Sequence, residues 1–172
     1  KVNGYDPDLT RLPYDPEKAK SLLAEAGYPD GFELTMDCST DRYVNDGQIC
    51  QATVSLLAQV GIKVNLLAQP KAQFFPKVVS PDFGTSFFLL SWTPSTMDSL
   101  NVFQNVLGTR DLDNGRGAWN ISGCSVPEAD ALAAEAATMM DADAREKLLQ
   151  DAMALMVDNV CLVPLHVQQL VW

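Results

Sequence analysis

Between Asp15 and Trp92 helical and strand patterns alternate three times, and this order restricts the fold more than any other feature of the chain. Helix followed by strand, repeated, sets the strands parallel and joins them by right-handed crossovers. Asp15-Pro16-Glu17 is a helix start: the aspartate can cap the first amides, and proline fits a first turn whose N–H has no partner anyway. Ala19, Leu22, Leu23 and Ala26 then fall on one helical face, and Gly27 stands where a left-handed residue ends a helix. After the Pro29-Asp30-Gly31 turn, Phe32, Leu34 and Met36 alternate with Glu33, Thr35 and Asp37, the pattern of a half-buried strand. Cys38 to Asn45 reads as a polar loop, with Asn45 or Asp46 capping a second helix that carries Ile49, Ala52, Val54, Leu56, Leu57 and Val60 and stops at Gly61. Ile62, Val64 and Leu66 make a second strand that Leu67-Ala68 can continue, Lys71 to Val79 a short third helix broken by Pro81-Asp82, and Thr85 to Trp92 a third strand. The predicted class is α/β, with a mostly parallel central sheet flanked by helices.

The third strand differs in kind. Phe87-Phe88-Leu89-Leu90 is apolar without alternation, which predicts a strand covered on both faces. Past Trp92 the chain turns polar through Thr93, Pro94, Ser95, Thr96 and Asp98. A loop beyond the carboxyl end of a buried parallel strand is where open α/β sheets bind ligands. Trp92 can supply an apolar wall there, with Thr93 and Ser95 as hydrogen-bonding groups; a core tryptophan followed by an ordinary turn fits the same pattern. Asp98 suits an N-cap for a helix over Ser99 to Leu107.

The second half reads as helical. Gly108 to Gly117 is a polar loop whose Arg110 and Arg116 are expected in solvent or against a partner. Asn120, after Trp119, can tie down a turn. Pro127 opens a helix to Met139 with Leu132, Ala136 and Met139 or Met140 on a face, and Asp141 caps a long final helix that turns Leu148, Leu149, Ala152, Leu155, Met156 and Val160 inward. The eight acids between Val126 and Val160 read as a solvated helix face. Cys161 to Val167 is a last strand broken by Pro164, and His166 on it is expected to be structural.

Formal net charge is -10, which argues against nucleic-acid binding through a general basic surface. No apolar run is long enough to cross a bilayer, and Lys1-Val2-Asn3-Gly4-Tyr5 opens with neither a signal peptide nor an initiating Met, so the chain is expected to be part of a longer protein. Cys38, Cys50, Cys124 and Cys161 permit three complete pairings, and four buried thiols fit equally well. With no C-x-x-C and a single histidine, no metal site is expected. The sequence contains no G-x-S-x-G, P-loop, H-E-x-x-H or dinucleotide-binding glycine pattern, so no cofactor is implied. The enzymatic alternative left by the composition is a hydrolase using one thiol with His166; an interaction scaffold on the acidic helical face is a further reading that rests on charge alone.

Tyr14–Leu34, YDPEKAKSLLAEAGYPDGFEL, resembles the family 5 extracellular solute-binding proteins of ABC importers, the dipeptide- and oligopeptide-binding type. The likeness continues through Gly61-Ile62-Lys63-Val64, Ser91-Trp92-Thr93, Ala118-Trp119-Asn120 and Val163-Pro164-Leu165-His166, over nearly the whole chain. It implies that residues 1–172 are a single α/β lobe, the C-terminal one, of a two-lobed clamshell binder, with an N-terminal lobe of the same chain supplying the rest of the pocket. It implies a peptide or other small solute as ligand, permease subunits of the importer as partners, contact with the membrane only through that transporter, and location in the periplasm or on the outer face of the cell membrane. In such relatives an arginine in the loop after the lobe's first strand holds the peptide carboxylate; across a one-residue gap its equivalent is Arg42, with Tyr43 beside it. Where the relatives place an acid for the peptide amine, shortly after Trp-Thr, this sequence has Ser95, with Asp98 nearby but shifted. Trp92 would line the cleft and Asn120 would offer a donor and an acceptor. The implied oxidising compartment, with the closeness of Cys38 and Cys50, favours a bridge between them and leaves Cys124 with Cys161.

Overall fold

Asp15 accepts a hydrogen bond from the Lys18 amide (2.8 Å) and Pro16 occupies the first turn, which together start α1 (Pro16–Glu25) in the computed structural model. The structure describes residues 2–80 and 84–169. They divide into two units, one within residues 12–91 and the other within residues 2–11 and 92–169.

In the first unit α1 is followed by β1 (Glu33–Ser39), α2 (Asp46–Ala58), β2 (Lys63–Gln69) and α3 (Lys71–Val78). The strands pair in parallel, from Glu33 opposite Lys63 to Ser39 opposite Gln69, so α2 is the crossover the alternating pattern predicts. Two turns with left-handed glycines precede the strands: a Cβ on Gly31 would overlap the Gly61 carbonyl, so this approach requires glycine. Met36, Cys38 and Cys50 form a core with Val64, Leu66, Phe87 and Leu89 around it, and the Cys38–Cys50 disulfide ties β1 to α2.

Several expectations in this unit are corrected. β1 runs through Ser39, not Asp37, because Cys38 and Ser39 stay in register with Ala68 and Gln69. The alternation also fails beyond Met36. Asp37, read as outward, is 1% exposed and takes the Lys77 ammonium of α3 at 2.6 and 2.8 Å. Thr85–Trp92 is not a strand; a single parallel bridge joins Phe88 to Asp37, whose N–H donates to the Phe87 carbonyl and whose carbonyl accepts from the Leu89 N–H. All four of Phe87–Leu90 are half-buried, and Phe87 and Leu89 pack against the core, so the unbroken apolar run did not need two fully covered faces. The apolar face of α1 is scarcely covered, with Leu22 50% exposed; cap and propensity suffice to define the helix. The Pro81-Asp82 break lies outside the described residues.

In the second unit Asp98 caps α4 (Ser99–Val102), which continues into a π-helical turn, Phe103–Leu107. The Asn105 side chain donates to the Asn101 carbonyl (2.7 Å), a side-chain insertion of the kind that widens a helical turn. α5 (Pro127–Thr138) and α6 (Ala142–Asp158) form an antiparallel hairpin, with Asp141 capping α6 through the Ala144 amide (2.9 Å). Ala129, Ala133 and Ala136 of α5 face Leu149, Ala152 and Met156 of α6, and Phe103, Leu107 and Val126 complete the core. Small residues on α5 let the helix axes approach closely. Of Met139 and Met140, offered as alternatives for the inward face, Met139 is half-buried and Met140 exposed; Val160, read as inward, is exposed. The acidic run is only partly a solvated face: Asp130 accepts the Thr109 amide and Glu146 the Gly4 amide. Residues 161–169, read as a last strand, form none; the Arg11 guanidinium donates to the Leu165 carbonyl (2.8 Å). Among the described residues no helix is long and apolar enough to cross a membrane.

Candidate functional site

The polar loop joining β1 to α2 lies at the carboxyl end of two parallel strands, where such sheets bind ligands. Its geometry is set by one carboxylate. Asp46 is 3% exposed, and its Oδ2 accepts from Ser39 Oγ (2.9 Å), the Arg42 amide (3.0 Å) and the Tyr43 amide (3.1 Å). Its Oδ1 accepts from the Gly47 amide (2.9 Å). Burial pushes this carboxyl up, but the backbone donors at Tyr43, Arg42 and Gly47 and the Ser39 hydroxyl outweigh it, so its pKa is lowered. The carboxylate is therefore charged across the physiological range. Asn45, the residue before α2, is left-handed (φ 60°) and makes no side-chain cap. At the crest of the loop Arg42 is exposed and its guanidinium stacks over the Tyr43 ring, 5.0 Å from the centroid. The Asp41 carboxylate accepts from the Lys71 amide (2.6 Å) at the start of α3, and the Thr40 amide donates to the Gln69 carbonyl (3.0 Å), fixing the other end.

The other candidates belong to the second unit. Trp92 is half-buried; its indole N–H donates to Asn101 Oδ1 (3.0 Å) and its ring is tilted against Trp119 with centroids 6.0 Å apart. Thr93 and Ser95 are exposed beside it in sequence. Asp98 is engaged structurally: Oδ1 accepts from the Leu100 amide (2.9 Å), and Oδ2 accepts from an Arg145 Nη (2.8 Å). Burial raises its carboxyl and the Arg145 hydrogen bond lowers it, with a net lowering; Asp98 in turn raises Arg145. A cavity of about 270 Å³ opens beside this pair, lined also by Thr96, Asn101 and Gln104. Asn120 is 1% exposed, and its amide donates to the carbonyls of Gly108 (2.9 Å) and Cys124 (2.8 Å) while Oδ1 accepts from Ser122 Oγ (3.2 Å). Its side chain is thereby taken up by its own turn. Arg116, read as a solvated loop charge, donates to the Thr109 carbonyl (3.0 Å).

All four cysteines are bonded, Cys38 to Cys50 and Cys124 to Cys161, which removes the thiol that a cysteine–histidine hydrolase needs. His166, expected to be structural, is exposed. Among the described residues no group of His, Cys, Asp and Glu side chains is placed to hold a metal ion. Three residues of consequence were not singled out in the sequence. Asp46 was legible only as a helix cap, and Lys77 and Arg145 carried no local signal, since their partners lie 40 and 47 residues away.

The profile of a family described as bacterial extracellular solute-binding proteins, family 5 Middle, matches residues 1–114. Heme-binding protein A of Haemophilus influenzae is 28% identical over 169 residues, covering 93% of this chain and 29% of that protein. Glutathione-binding protein GsiB of Pectobacterium atrosepticum is 32% identical over 143 residues, covering 81% of this chain and 27% of that protein. Among solved structures, HbpA2 from Haemophilus parasuis matches with a TM-score of 0.79 at 29% identity, covering 93% of this chain and 31% of that one. The chain thus spans less than a third of the length of the curated relatives it matches. These relatives are binding proteins by name, and the parallel α/β arrangement described above is shared with a solved member of their fold. The match over residues 1–114 is most of the chain, and the chain belongs to the bacterial extracellular solute-binding proteins of family 5.

Proposed function

We propose that residues 1–172 belong to the C-terminal lobe of a two-lobed receptor that captures peptides or peptide-like small solutes and delivers them to the permease of an ABC importer. The observation that carries this reading is the exposed, ring-backed guanidinium of Arg42 at the strand ends of a family 5 chain. A planar guanidinium matches a carboxylate in bidentate fashion, and a charge-assisted hydrogen bond of this kind contributes about 1.5–3 kcal/mol. The Tyr43 ring lies against the guanidinium, 5.0 Å from centroid to guanidinium carbon. In the second unit Trp92, Thr93 and Ser95 offer an aromatic surface and exposed hydroxyls, while Asp98 and Asn120 serve the fold. The names of the relatives support solute capture, and glutathione is itself a peptide with free carboxylates. Capture proceeds by closure of two lobes around the solute, with no bond made or broken, and the closed form is what the permease reads. The family's extracellular description supports the periplasm or the outer face of the membrane as the working place.

Native mass spectrometry of the full-length protein, purified without denaturation, identifies the co-purified solute; calorimetry with peptides blocked at either end then tests the contacts. Free-acid peptides are expected to bind and C-terminal amides to bind about tenfold or more weakly. Blocking the amine is expected to have little effect, because Ser95 stands where relatives carry an acid. Amides that bind as well as acids would remove Arg42 from the site.

A further inference from the structure

The carboxylate of Asp46 looks at first like an ordinary helix-start aspartate, but its bonds run the wrong way for one. An N-cap accepts from amides two or three residues ahead. Asp46 reaches back to residues 39, 42 and 43, and only the Gly47 amide belongs to the helix it opens. One oxygen therefore gathers three donors from the segment that carries Arg42 and Tyr43. The segment is closed from behind by the Cys38–Cys50 bridge and from the side by Asp41 on the Lys71 amide. Arg42 and Tyr43 enter this arrangement only through backbone groups, their amides donating to the Asp46 carboxylate and the Tyr43 carbonyl accepting from the Asp46 amide (3.3 Å), which leaves the guanidinium and the phenol ring outside these bonds.

Resting on the reading of Arg42 as the carboxylate contact, we infer that Asp46 is the positioning residue of the site: it presets the backbone at Arg42 and Tyr43 so that the guanidinium meets the solute carboxylate without reordering the loop. A contact held within a fraction of an ångström before the ligand arrives avoids the ordering cost that a mobile arginine would pay on each capture. The Asp46 carboxylate touches no ligand in this account. Its effect is confined to whatever Arg42 reads.

That confinement supplies the test. Full-length wild type, Arg42→Ala, Asp46→Ala and Asp46→Asn are dialysed to equilibrium against an equimolar pool of free-acid dipeptides and tripeptides, and against the same pool amidated at the C-terminus. Retained peptide is quantified by mass spectrometry, and folding is checked by circular dichroism on the same samples. Wild type is expected to prefer acids, and Arg42→Ala to lose that preference. Asp46→Ala is expected to weaken acid binding by about tenfold while amide binding stays within about twofold, so its acid-to-amide ratio approaches that of Arg42→Ala. Asp46→Asn keeps one oxygen for the loop donors but sets an N–H against the Gly47 amide, and should fall between; it carries the test if the alanine variant fails to fold. A purely structural role would depress both pools together. Folded Asp46 variants with the wild-type ratio, alongside an Arg42→Ala that loses it, would overturn the role of Asp46 and leave the site intact. An Arg42→Ala with the wild-type ratio, or a wild type that ignores the pool, would overturn the Arg42 reading and this inference with it.

Discussion

At the residue scale, the aspartates of this chain separate by the direction of their bonds. Asp15, Asp98 and Asp141 each accept from an amide two or three residues ahead, and each was legible because the signal is local: a capping residue before a helical pattern. Asp46 and Asn120 work backwards or on both sides, and no spacing rule announces that. Asp98 does both jobs, capping α4 and pairing with Arg145, and its folded carboxyl titrates below that of a free aspartate. The sign follows: a lowered carboxylate pKa contributes stability above the ordinary carboxylate range and loses it as pH falls through the folded value. Asp98→Asn keeps a good cap and removes the charge, so urea unfolding should show wild type ahead by a constant margin above about pH 5, with the margin closing below about pH 4. Asp98→Ala should lose about 1 kcal/mol more at every pH, the contribution of the cap. A margin unchanged at low pH would exclude the Arg145 pair as its origin.

At the element scale, the helices and the first two strands were read nearly to their ends, while the two later segments read as strands form none. Helix boundaries are written in caps and glycines. Strand extent depends on what lies alongside, and Ser39 is in β1 because Gln69 is opposite it. The Phe87–Leu90 run shows the same limit, since its apolar residues meet one neighbouring strand at one bridge. Asp37 is the sharpest case. On pattern it faces solvent, yet it is buried in β1 against α3 with Lys77 as counter-ion. Removing the cation leaves a buried charge without compensation, so Lys77→Met should cost about 3 kcal/mol in urea unfolding. Adding Asp37→Asn should restore most of that loss. If Lys77→Met proves neutral, the pair is not what joins α3 to the sheet.

At the scale of the whole molecule, the fold class was legible because alternating helices and strands leave few topologies, whereas the site was legible only in part. Topology pointed to the loop past Trp92, where no strand ends, and both the loop beyond β1 and Arg42 on it came from the resemblance. What a solute meets cannot be written in a chain that spans less than a third of its relatives. A pocket that binds a small molecule surrounds most of the ligand's surface. If the reading of one lobe in a clamshell is right, the 172 residues supply part of that enclosure: Arg42 can reach a carboxylate, but the remaining solute surface stays in water. The isolated chain should then bind free-acid peptides roughly 100-fold or more weakly than the full-length protein. Its residual affinity should fall steeply with added salt, because an exposed guanidinium–carboxylate pair is screened. Calorimetry on both forms, at low and physiological ionic strength, measures the two effects together. Binding by the isolated chain as tight as by the full-length protein would mean that these residues enclose the solute themselves, and the clamshell mechanism would have to be given up.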